Sequence, residues 1–78
     1  MEDIEEKSIG VSIGERIRAR REELGMTQRV LAFKVGISCS SIAEYELGRH
    51  EVGLFLGMCI AEALGVSLDW LCGKKHLN

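Results

Sequence analysis

Residues 28–47, QRVLAFKVGISCSSIAEYEL, decide how this chain folds. Ala32 lies four residues before Gly36, and Ile42 lies six after it. That spacing suits two short helices crossing steeply through a tight turn. A small side chain lets the backbones approach, glycine admits positive φ in the turn, and a β-branched residue plugs the core beneath the second helix. Thr27 and Ser38 stand ahead of the two helices as capping residues. In the first helix Leu31, Ala32 and Val35 fall inward, Arg29 and Lys34 outward, and Phe33 off the stripe. In the second, over 39–47, Ile42, Tyr45 and Glu46 share one side. Cys39, Ser40, Ser41 and Glu44 lie toward the other.

Upstream, Ser12 is placed to cap a helix over 13–24, with Glu15 completing a capping box. Ile13, Ile17 and Leu24 give that helix an apolar edge, surrounded by Arg16, Arg18, Arg20 and Arg21. Such cations are either a solvated face or phosphate contacts. Downstream, residues 49–53 read as a loop and 54–64 as a fourth helix. Leu54, Met58, Ile60, Ala61 and Leu64 are available to its core side, which leaves Phe55, Leu56 and Cys59 over. This surplus predicts a homodimer face. Ser67 caps a short fifth helix over 68–72, where Leu68, Trp70 and Leu71 close the core. The expected organisation is a flexible acidic arm at 1–12, one domain at 13–72 and a basic tail at 73–78.

Seventy-eight residues make one small domain that must use every apolar stripe it has. Proline is absent and aromatics are few, which together with the abundance of Leu, Ala, Glu and Arg points to an all-α fold. The longest apolar-leaning run, over 52–61, is too short to cross a membrane. The acidic start MEDIEEK lacks the pattern of a secretory signal, so a cytoplasmic location is expected. Cys39, Cys59 and Cys72 show no Cys-x-x-Cys spacing and read as reduced thiols. Cys72 and His76 have i, i+4 spacing, but Gly73 interrupts the helix they would need, so no metal and no cofactor is expected. No nucleophile–base pair, carboxylate pair or phosphate loop suggests an enzyme.

The net charge of −2 speaks at first against a nucleic-acid partner. Its distribution changes that. Residues 1–10 hold four of the twelve acidic side chains and one of the ten basic ones, so the remainder carries nine basic against eight acidic. A near-neutral body binds DNA if its cations share a face.

The run GERIRARREELGMTQRVLAFKVGISCSSIAEYELGR over 14–49, followed by IAEALGVSLDWL over 60–71, resembles the Cro and phage-repressor-like helix-turn-helix domains. The shared motifs are T-Q opening the second helix, L-A-x-K-x-G-I-S into the turn, I-x-x-Y-E closing the third, and A-L-G-V-S-x-x-W-L at the end. The resemblance implies a compact five-helix, lambda-repressor-like DNA-binding domain whose helix-turn-helix spans about 28–47. Such a domain lays helix 39–47 in the major groove of double-stranded DNA, usually as a dimer. Gln28 matches a position that contacts phosphate or hydrogen-bonds to the recognition helix. Arg21 and Glu46 match a buried structural ion pair. The implied base-reading residues are Cys39, Ser40, Ala43 and Glu44. Arg16, Arg20, Gln28, Arg29, Ser38, Ser41 and Arg49 are the phosphate-contact candidates.

The chain departs from the commoner pattern in two places. Its recognition helix offers short side chains and one acid where relatives often carry Gln, Arg, Lys or Asn. Val52 stands where relatives often have proline. The function implied is a sequence-specific transcriptional regulator, a small repressor. The alternative is an antitoxin-like protein of the same fold that acts through a protein partner.

Overall fold

Five helices follow in order in the computed structural model, which describes residues 9–73 and the side chains from residue 12 onward: α1 (Ile9–Glu23), α2 (Gln28–Val35), α3 (Cys39–Glu46), α4 (Leu54–Leu64) and α5 (Leu68–Cys72). Residues 1–8 and 74–78, with most of the expected arm and tail and with His76, lie outside the described residues. Three helices start on a hydroxyl cap. Thr27 accepts from the Val30 amide, Ser38 from Ser41 and Ser67 from Trp70, each satisfying one of the orphan donors of a first turn. Between α2 and α3 the chain reverses at Gly36, whose φ of 84° lies in the left-handed region. The amides of Gly36 and Ile37 both return to the Ala32 carbonyl and close α2.

Ile17, Leu31, Ile42, Ile60, Leu64 and Leu71 are fully buried, with Ala32 and Ala61 packed among them, so every helix contributes to one core. Each large aliphatic side chain stabilises the fold by about 1.5–3 kcal/mol through burial. Helix α1 lies against α3, α4 and α5, while α2 lies against α3 and α4. The closest approach is at Gly14. A Cβ there would collide with the carbonyl oxygens of Tyr45 and Glu46 at the end of α3.

Four expectations need correction. Helix α1 begins at Ile9, so Ser12 is interior and does not cap it; its carbonyl accepts from Arg16 Nη1 at 3.2 Å. Leu24 is exposed, and the inward position one turn beyond Ile17 belongs to Arg21. On α4 the inward stripe runs through Gly57, Ile60, Ala61 and Leu64. Leu54 and Met58 are therefore exposed, and Leu56 packs against the core instead of being left over. Trp70 is 42% exposed and lies beside Arg16 and Ala19 rather than closing the core.

Two arginines of α1 secure the ends of other helices. Arg20 Nε donates to the Leu64 carbonyl at 2.9 Å, at the end of α4. Arg16 lies over Gly73 at the end of α5, so close that a Cβ on that glycine would fall within 2.9 Å of its guanidinium. Unpaired carbonyls and the negative end of the helix dipole favour a cation at both places.

Candidate nucleic-acid interface

The exposed face of α3 begins at Ser38. Its Oγ accepts from the Ser41 amide at 3.1 Å and lies 2.9 Å from Ser41 Oγ and 3.3 Å from Ser40 Oγ. The three hydroxyls cluster at the helix start. Cys39 and Ser40 are exposed, Ser41, Ala43 and Glu44 are half-buried, and Leu47 ends the helix in solvent. The amide of Arg49 bonds back to the Glu44 carbonyl at 3.0 Å, and this turn returns the Arg49 side chain to Glu44. Arg49 Nη1 lies 3.4 Å from Glu44 Oε2, and His50 Nε2 lies 3.8 Å from Oε1. The one acid of the reading face is thus flanked by two groups of the following loop.

Behind this face sits a buried polar lock. Arg21 Nε and Nη2 donate to the two oxygens of Glu46 at 2.6 and 3.0 Å, a bidentate pair. Gln28 Nε2 donates to Glu46 Oε1 at 3.0 Å, and Arg21 Nη1 donates to the Met26 carbonyl at 2.8 Å. One carboxylate on α3 therefore ties together α1, the loop before α2 and the start of α2. The Glu46 hydrogen bond holds the Arg21 guanidinium above its ordinary pKa; burial opposes it, and the charges of Glu46 and Glu22 add to it. Of the two roles implied for Gln28, its amide takes the bond to the recognition helix.

The phosphate candidates separate on this geometry. Arg29 lies in the first turn of α2, Ser38 caps α3, Ser41 lies in its first turn and Arg49 in the loop after it, all four exposed or half-buried. Arg16 and Arg20 do not join them, because both are engaged at the ends of α5 and α4; Arg20 also pairs with Glu23 at 3.1 Å. Arg18 lies instead on the α3 side of α1. With Gln28, Ala43 and Leu47 it lines a concavity over the Arg21–Glu46 pair. The sequence holds one signal for this: Arg18 is four residues beyond Gly14, on the same side of α1. Since Gly14 is the point where α1 touches α3, Arg18 lies one turn further along that contact. Among the described residues no group of three or more His, Cys, Asp or Glu is placed to hold a metal ion, and no helix is long and apolar enough to cross a membrane.

A sequence model of the Helix-turn-helix family matches residues 17–71, most of the chain and every residue of the lock. The chain belongs to that family. The cryptic phage CTXphi transcriptional repressor RstR of Vibrio cholerae is 36% identical over 64 residues, which span 82% of this chain and 57% of that protein. The P22 c2 repressor, solved in complex with a synthetic operator, superposes with a TM-score of 0.73 at 37% identity, covering 76% of this chain and 89% of that one. The restriction-modification controller protein C.AhdI of Aeromonas hydrophila superposes with a TM-score of 0.75 at 33% identity, covering 78% and 92%. The five-helix arrangement is therefore that of the phage-repressor DNA-binding domains. This helix-turn-helix chain spans about half the length of most curated relatives it matches.

Proposed function

We propose that this helix-turn-helix protein is a sequence-specific, double-stranded DNA-binding transcriptional regulator, a repressor that works in the cytoplasm with α3 in the major groove. The observation that carries this reading is the lock: Glu46 fixes α3 against α1 and α2 and leaves Ser40, Ala43 and Glu44 on the outer side, turned from the core. The likeness to an operator-bound repressor and to RstR supports it, and favours DNA over a protein partner as the target. Amides at the starts of α2 and α3, with Arg29 and Arg49, supply phosphate contacts and register. Ser40 bonds either class of base, Ala43 meets a thymine methyl and Glu44 accepts from cytosine N4. Cys39 lies at the rim of that face.

Binding measured on random and selected duplexes across a salt series tests the reading. Affinity should fall with salt and be tighter on the selected sequence. Failure to bind any duplex at low salt would overturn it.

We assign the dimer face to the outer side of α4. Phe55 is 79% exposed and Leu54 71%, and Met58 and Cys59 continue the same surface. Leu56 is no part of it, because it packs against the core. A dimer with two-fold symmetry places its half-sites ~34 Å apart, one helical turn. Sedimentation should show the wild type self-associating and Phe55→Glu shifted to monomer; a wild type that stays monomeric at high micromolar concentration refutes the face.

A further inference from the structure

Arg16, Arg18 and Arg20 of α1 look equivalent in the sequence, and the structure gives them different tasks. Arg16 and Arg20 hold helix ends, and Arg21 is buried against Glu46. Arg18 differs from all three. Its side chain is 63% exposed, and its contact is a 3.1 Å bond from Nε to the exposed carboxylate of Glu22, one turn along the same helix. A surface pair of that kind contributes little to stability and yields readily to a competing anion. Arg18 also lies at the rim of a concavity of about 260 Å³ whose other walls are Gln28 at the start of α2 and Ala43 and Leu47 on the recognition helix.

We propose that this concavity seats a phosphate of the DNA backbone beside the bases read by α3, with Arg18 as the cation that closes on it. The proposal rests on the DNA-binding reading above and adds a contact from outside the helix-turn-helix. Three features direct the guanidinium to phosphate rather than to a base edge. It originates on α1 rather than α3, it stands at the Leu47 end of the face, and the floor beneath it is already occupied by the Arg21–Glu46 pair. Glu22 holds the guanidinium in the free protein and releases it on binding. Glu22 also lies 4.0 Å from Arg21 Nη2, so its carboxylate keeps a cationic neighbour after Arg18 turns away.

The test uses the full chain and a selected duplex, with affinity measured between 50 and 200 mM salt. A phosphate-contacting cation contributes about 0.9 to the salt slope, so the advantage of wild type over Arg18→Ala should shrink about 3.5-fold across that range. The loss should be alike on selected and random duplexes. Arg18→Lys should restore the slope, and Glu22→Gln should tighten binding by removing the competing carboxylate. Arg20→Ala, which touches only a helix end and Glu23, should leave the slope unchanged. If Arg18→Ala keeps the wild-type slope while Arg29→Ala lowers it, DNA binding stands and the proposal falls. A loss confined to one base position would also overturn it, in favour of base reading. If the wild type binds no duplex, the DNA-binding reading and this proposal fall together.

Discussion

Replacing Glu46 by alanine should be among the most damaging single changes outside the aliphatic core. The carboxylate accepts from Arg21 Nε, Arg21 Nη2 and Gln28 Nε2, and both charged residues are only 8% exposed. Removing one partner of a buried pair leaves the other charge uncompensated, at a cost of about 3–5 kcal/mol. Arg21 keeps its bond to the Met26 carbonyl, which places the expected loss near the lower end, about 3 kcal/mol. For a domain of this size each kcal/mol moves the melting temperature by roughly 4–8 °C, so Tm should fall by roughly 12–24 °C. Urea denaturation followed by circular dichroism measures the loss directly. The double replacement Arg21→Met with Glu46→Leu is the control, because an apolar pair of similar volume removes the orphaned charge and should recover much of the stability. The reasoning fails if Glu46→Ala costs less than about 1 kcal/mol, or if the double replacement is no more stable than the single. The pH dependence has a definite sign. The folded pKa of Arg21 is raised above its ordinary value, so its contribution is fully present below the unfolded pKa and is lost only as pH rises through the folded one. Titrating the wild type from neutral to mildly alkaline pH should therefore show no loss from this arginine.

Three further outcomes follow from other contacts. Gly14→Ala should destabilise by about 3 kcal/mol in thermal melts, since the new Cβ meets backbone carbonyls of α3 that cannot rotate away. Ser38→Ala removes the cap of α3 and should cost about 1 kcal/mol; a measured change near zero would mean that Ser41 or solvent replaces the cap. Arg20→Ala should lower stability by about 1–1.5 kcal/mol through the lost bond to Leu64, and DNA titrations corrected for folding should match wild type.

The α4 residues show how far pattern reading extends. Its bounds were legible, because Gly65 terminates it and Gly53 leads into it. Its inward face is not legible in the same way, since Leu54, Leu56 and Met58 are similar in hydropathy and only the rotation of the helix distinguishes them. That rotation is set by packing: Gly57 faces Leu68 and Val52, and Ile60, Ala61 and Leu64 turn inward with it. Helix α1 gives the same lesson at its start: Ser12 and Glu15 have capping-box spacing, yet the helix runs through them from Ile9.

What the sequence by itself determined is local. The hydroxyl caps at Thr27, Ser38 and Ser67 and the left-handed glycines at 36, 65 and 73 act over three or four residues, so short-range rules recover the helices. The family motifs then named Arg21 and Glu46 as partners across 25 residues. Tertiary structure alone decided which cation does what. Arg16, Arg18 and Arg20 are chemically identical side chains on one helix, separated only by the direction in which each leaves it. One direction meets the end of α5, another the end of α4, 44 residues away, and a third the concavity beside the recognition helix. A charge takes its role from the partner it reaches, and that partner is brought near only when the core has packed.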